Sequence, residues 1–191
     1  VTFLWNVAAN LPGAYFTVYL LRDLGVSYSY ITIISMLNIP VTLFLTPIWR
    51  KALAKNGWFK TLYRSIAVYL VHYLVLAFVT GRTLFLYPVS QILAYVFAVG
   101  INLSFTGIPY VNMPEKRQTV FIGFYSSASN FAALLGVTLG RYFVVSTDAF
   151  RFELFGMTFV NKQVLVAIAA VLLGGAALGI RAIDKRTPSD W

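Results

Sequence analysis

A chain of 191 residues with 59% hydrophobic and only 11% charged side chains, and a mean hydropathy of +0.76, departs in both directions from a soluble domain, which runs about 45–50% apolar and about 25% charged. A soluble domain of this size would leave about 30% of its surface in water, so lipid is expected to solvate much of this chain, which reads as an all-α integral membrane protein. Net charge is +9, from 15 basic and 6 acidic residues, but the cations punctuate apolar runs as they do at membrane-helix ends; a nucleic-acid partner, which needs a concentrated basic patch, is not expected.

Six apolar segments of spanning length, about 17–25 residues each, can be drawn near 1–21, 29–49, 61–79, 84–107, 118–145 and 164–180. The first begins at Val1 without a Met and shows no signal-peptide pattern, which is expected of a piece of a longer protein. Its Asn6, Asn10, Gly13 and Thr17 fall on one stripe at 100° per residue, and Pro12 and Gly13 should break it midway. After the turn "RDLGVSY", the second segment aligns Ser35, Asn38, Thr42 and Thr46, with Pro40 as its breaker.

The stretch "PIWRKALAKNGWFK" follows, with Arg50, Lys51, Lys55 and Lys60 and no acid. The third segment offers only Ser65 and His72; the fourth, with Pro88 early in it, aligns Gln91, Tyr95, Ala98 and Asn102. The fifth aligns Gly123, Ser126, Ser127 and Asn130, then carries the small-residue pair Gly136–Gly140. Between Ser146 and Gln163, "FRFELFGMTFVNK" alternates around Gly156, which fits either a small surface β-hairpin or a disordered loop. The sixth segment holds only glycine and apolar residues, including Gly175–Gly179. Both small-residue pairs read as helix-packing sites rather than dimerisation motifs.

Counting cations gives an orientation. One set of segment ends holds Arg50, Lys51, Lys55, Lys60, Arg64, Lys116, Arg117, Arg181, Lys185 and Arg186; the other holds Arg22, Arg82, Arg151 and Lys162, with Arg141 near the latter end of the fifth segment. The positive-inside rule places the richer side, and with it both termini, in the cytoplasm, and the chain as a multi-pass protein of the plasma (inner) membrane. No enzymatic activity is expected: cysteine is absent, no phosphate loop, GxSxG or metal-ligand spacing occurs, and no cofactor or metal is expected. His72 lacks a nearby carboxylate and reads as a structural hydrogen-bonding residue before it reads as a proton relay.

Taken singly, each polar residue within a segment reads as interhelical glue before it reads as a ligand contact. Four stripes together read as the lining of a polar region. Asn10, Asn38, Tyr95 and Asn130, all near mid-segment, are the expected solute-facing ring, flanked by Asn6, Gln91 and Ser126. All seven are neutral, which suits hydrogen bonding to a small polar solute.

The basic turn resembles a motif of the major facilitator superfamily, G-x-L-A-D-R-x-G-R-R-K, found between the second and third helices of each half. Gly57 matches its second Gly, Lys55 its first basic residue and Lys60 its last. Arg50 stands at the first Gly, Ala54 at the Asp, and Trp58 and Phe59 at the paired Arg, so a charge-based latch built on that Asp is not expected. Six helices with both ends inside, a long outer loop before the last, and "N…Y…LLRDLGVS" at the first hairpin also resemble the family's seventh to twelfth helices. The resemblance implies one half of a twelve-helix transporter, with an N-terminal six-helix half, the lipid bilayer and a small-molecule solute as partners. It also implies that the first, second, fourth and fifth helices line a central cavity and the other two are peripheral. The competing reading is a self-contained six-helix membrane interaction or assembly protein, or a homodimeric carrier.

Overall fold

The computed structural model describes residues 1–110, 117–154 and 156–184. Eight α-helices run through them: α1 (Thr2–Asn10), α2 (Gly13–Val18), α3 (Tyr28–Met36), α4 (Asn38–Asn56), α5 (Trp58–Ala77), α6 (Leu86–Gly107), α7 (Gln118–Ser146) and α8 (Asn161–Asp184). Strands β1 (Arg151–Leu154) and β2 (Met157–Val160) stand between the last two.

The breaks follow from the residues at them. Pro12 has no N–H to donate, and the chain leaves the helix at Leu11 and Pro12 before resuming at Gly13. The Tyr73 hydroxyl reaches across from α5 to donate to the Ala9 carbonyl at 3.2 Å, beside this break. α2 then widens into a π-helical turn over Tyr19–Asp23. Pro40 breaks nothing: the interruption falls at Leu37, and Pro40 sits in the first turn of α4, where a missing N–H costs no intrahelical bond. Pro88 occupies the same position in α6. Gly57, at φ 78° and ψ 168°, separates α4 from α5 in a conformation that a β-carbon would disfavour.

Four helical runs are long and apolar enough to cross a bilayer: Tyr28–Asn56 (α3 and α4 together), Leu86–Tyr110, Gln118–Ser146 and Asn161–Asp184. The two remaining helical units are the first, broken at Pro12, and α5, which carries Lys60 and Arg64 in its first two turns. The chain is thus mostly helical and apolar in the manner of an all-α membrane protein.

α5 packs along both α6 and α8, α1 lies against α7 and α8, and α4 lies on α6. In lipid, such contacts rest on close packing rather than on exclusion of water. The main core joins Ala8, Leu20, Tyr73 and Leu76 to Leu165, Val166, Ala169 and Leu173; a second cluster joins Leu62, Ile66 and Ile101 to Ala177 and Ile180. In the most apolar stretch of α8, 44% of residues are buried inside the chain, against 11% for the α3–α4 run and for α7. These last two helices are therefore flanks, largely bare of protein.

Gly136 and Gly140 are packing positions: a β-carbon there would overlap the carbonyl oxygens of Val7 and Leu11. On α8 a β-carbon at Gly174 would stand 3.3 Å from Leu70 of α5, tighter than ordinary contact, and one at Gly179 would stand 3.7 Å from Val1; around Gly175 the space is open. The alternating segment forms an antiparallel β-hairpin pairing Arg151 with Val160 and Phe152 with Phe159, and Gly156 turns it at φ 69°. Phe159 stacks on Phe152 at 5.2 Å and meets Phe78 edge-on at 6.0 Å.

Candidate functional site

Two hollows open on either side of α6. The larger, about 530 Å³, is lined by Asn38, Thr42 and Thr46 of α4, Tyr69 and His72 of α5, and Gln91, Tyr95, Ala98 and Asn102 of α6. The smaller, about 440 Å³, is lined by Thr2, Trp5 and Asn6 of α1, by Asn102 and Phe105 of α6, and by Tyr125, Ser126 and Ser129 of α7. Asn102 and Thr106 belong to both, so one turn of α6 is the ridge where the hollows meet.

Helical spacing explains why these side chains arrive together. Asn38, Thr42 and Thr46 are four apart, and Gln91, Tyr95, Ala98, Asn102 and Thr106 are three or four apart, so each set forms one row on its helix. Many of the hydroxyls and amides first satisfy their own backbone. Thr46 Oγ1 donates to the Thr42 carbonyl at 2.6 Å and Thr106 Oγ1 to the Asn102 carbonyl at 2.8 Å. Asn6 Nδ2 donates to the Thr2 carbonyl at 2.9 Å and Asn10 Nδ2 to the Asn6 carbonyl at 2.8 Å. Such back-bonding lets a polar residue sit in an apolar helix while its oxygen still accepts. Asn38 Oδ1 accepts from Thr42 Oγ1 at 3.2 Å, leaving the Asn38 amide N–H₂ without a partner among the described residues. The Tyr125 hydroxyl of α7 donates to the Phe105 carbonyl of α6 at 3.3 Å, tying two helices that bound the smaller hollow.

Of the seven solute-facing residues expected from the sequence, Asn38, Gln91 and Tyr95 meet in the larger hollow and Asn6 and Ser126 in the smaller. Asn10 and Asn130 line neither; Asn10 is half-buried and Asn130 is exposed on α7. Residues that the expected ring leaves out are Asn102 at the ridge and the aromatic wall: Trp5 lies 5.4 Å from Tyr69 and 5.7 Å from Phe105. Helical spacing carries that signal too, since Thr2, Trp5 and Asn6 share one face at i, i+3 and i+4. His72, on a helix whose polar residues looked sparse, also borders the larger hollow.

The basic-turn residues stand apart from both hollows. Arg50 and Lys55 are exposed on the last turns of α4, Gly57 is the break, and Lys60 is half-buried on the first turn of α5. Arg181 lies at the same end, since neighbouring Ile180 packs with Leu62 of α5. Lys116, Lys185 and Arg186 of the same basic set fall outside the described residues. Comparison with known proteins brings no relative to bear: no family model, curated protein or solved structure matches the chain.

Proposed function

We propose that this chain is one six-helix half of a transporter of the major facilitator type, moving a small, neutral polar solute by alternating access. The observation that supports it most is the pairing of two open, polar hollows on α6 with two flanking helical runs that are almost bare of protein. Asn38 and Thr42 on one flank and Ser126, Ser127 and Asn130 on the other are all exposed. Polar residues in membrane helices face protein or a water-filled cavity rather than lipid, so this face calls for a second body across it, as in transporters whose solute sites lie between two repeats near the midplane.

In this reading Asn38, Gln91, Tyr95 and Asn102 hold the solute on one side of the ridge, Asn6 and Ser126 hold it on the other, and Asn10 and Asn130 serve the contact with the second half. α5 and α8 form the back. Arg50, Lys55 and Lys60 keep their end of the helices, with both termini, in the cytoplasm of a plasma (inner) membrane protein by the positive-inside rule.

The test is solute uptake by liposomes holding either this chain alone or the same chain joined to an N-terminal six-helix half. Uptake is expected to saturate only with both halves. Saturable uptake by the chain alone would refute the half-transporter reading and favour a homodimeric carrier.

A further inference from the structure

The four cations at the less basic end of the helices come from four separate parts of the chain, yet they converge. Arg22 follows α2, Arg82 stands between α5 and α6, Arg151 opens β1, and Lys162 opens α8. Arg22, Arg82 and Arg151 line one hollow of about 570 Å³ beneath the polar face of the hairpin, together with Asp23 and Thr158. Lys162 is paired with Asp23, and Arg82 Nη1 donates to the Gly156 carbonyl at 3.0 Å, holding the hairpin turn in place. The Arg22 and Arg151 guanidinium groups have no hydrogen-bond or ion-pair partner among the described residues. The remaining carboxylate on that strand face, Glu153, stands opposite Thr158 in the hairpin register. With Lys162 neutralising Asp23, three arginines stand against one carboxylate.

We propose that this hollow is an anion site that takes a phosphate-bearing group, with Arg22 and Arg151 as its principal ligands. Guanidinium forks match phosphate oxygens in paired, charge-assisted hydrogen bonds. Forks arriving from separate elements suit a tetrahedral oxyanion with several faces better than a planar carboxylate, which one fork can satisfy. The hollow is several times larger than one oxyanion, so the phosphate enters as part of a larger molecule, either a soluble phosphate ester or an anionic lipid headgroup. The Phe152–Phe159 stack holds the hairpin's opposite face against Phe78, so Arg151 and Thr158 are presented on a supported surface rather than a free loop.

Binding here is an equilibrium property, separate from transport. It is measured on the purified chain in phosphate-free maltoside micelles with radiolabelled inorganic phosphate, and in a second arm by native mass spectrometry after incubation with phosphatidylglycerol. R22Q/R151Q is compared with wild type and with R181Q at the opposite end, thermal melting serving as the folding check. The double variant should weaken binding by about tenfold or more, as expected for losing charged hydrogen bonds, while R181Q changes little. R22K/R151K, which keeps the charge and loses the fork, should fall between them and carries the test if the Gln variant does not fold. Phosphate binding that the variants lose identifies a soluble phosphate ester as the source; binding of phosphatidylglycerol alone, lost in the same way, identifies a headgroup. Binding of neither probe, or equal binding by wild type and variants, would overturn the site.

Discussion

His72 Nδ1 lies 2.8 Å from the Ser90 carbonyl oxygen and 2.7 Å from the Ser90 hydroxyl, and that hydroxyl lies 3.0 Å from the His72 carbonyl oxygen. One assignment satisfies all three contacts: Nδ1–H donates to Ser90, and the Ser90 hydroxyl donates back to the His72 carbonyl. The imidazole is thereby a clasp between α5 and α6, although its ring also borders the larger hollow. Among the described residues no carboxylate lines that hollow, so the ring has no carboxylate partner there for a proton relay. On the proposed transport reading, His72→Gln or His72→Phe in the chain joined to a second half is expected to leave the effect of an imposed pH gradient on uptake intact. The cost should appear in thermal stability instead, at about 1 kcal/mol for one lost buried hydrogen bond. A gradient effect that vanishes in both variants, with folding unchanged, would place proton coupling at this ring.

Gly100 is packed against the face of Trp49, whose indole Nε1 donates to the Val96 carbonyl at 2.9 Å and whose ring meets Phe97 edge-on at 5.9 Å. A β-carbon at Gly100 would stand 2.5 Å from Trp49 Cε3, and the ring is held by its hydrogen bond rather than free to swing. Gly100→Ala should therefore push α4 off α6, with the ~1–3 kcal/mol penalty typical of overpacking. Gly175→Ala, where the space is open, should be near neutral. Melting temperatures of the two variants in detergent compare them directly; equal melting would mean that the α4–α6 seam yields at no cost.

What the sequence made legible is what depends on local pattern. Apolar run lengths located the helical units, most ends to within about four residues, though the second runs seven residues past its expected end to Asn56, and alternation around Gly156 offered the hairpin as one of two outcomes. The 100° stripes brought out Asn38, Gln91 and Tyr95 together. What it hid depends on tertiary placement. Pro40 reads as a mid-segment breaker until the interruption at Leu37 makes it a first-turn residue. Asn10 and Asn130 share their stripes with Asn6 and Ser126, but rows on neighbouring helices meet over only part of their length, so both miss the hollows. The sixth segment looked purely apolar because its polar residues, Asn161 and Gln163, precede the apolar run.

Those two residues carry the third prediction. Each is only 2% exposed. Asn161 Nδ2 donates to the carbonyls of Val144 and Thr147, closing the end of α7. Gln163 Nε2 donates to the carbonyls of Ala77, the last residue of α5, and Val79 just beyond it, while its Oε1 accepts from the Val160 N–H at 2.9 Å. Removing either amide strands several buried backbone groups, at about 1–3 kcal/mol for each group left unpaired. Gln163→Glu keeps the acceptor for Val160 but sets a buried carboxylate oxygen against the Ala77 and Val79 carbonyls, so it should lower the melting temperature at least as much as Gln163→Ala. A Glu variant as stable as wild type would show that the two donated bonds contribute nothing.

The ridge between the hollows supplies the last prediction, which rests on the transport reading. Asn102 is exposed, lines both hollows and has no side-chain partner among the described residues, so its amide can turn to either side. Ser104, two residues on, is fully buried and donates to the Gly100 carbonyl at 2.8 Å, which makes it a structural control on the same helix. A solute passing from one side of α6 to the other would keep Asn102 as a partner throughout. Asn102→Ala should therefore raise the uptake KM about tenfold, the scale of one good hydrogen bond. Asn10→Ala and Asn130→Ala, at positions lining neither hollow, should change it much less. Asn102→Leu, which keeps the side-chain volume and loses the amide, should match the alanine variant if hydrogen bonding is the cause. Uptake kinetics in proteoliposomes at matched protein levels decide it. A KM shift at Asn130 as large as that at Asn102 would move the solute path off the ridge and onto the exposed face of α7.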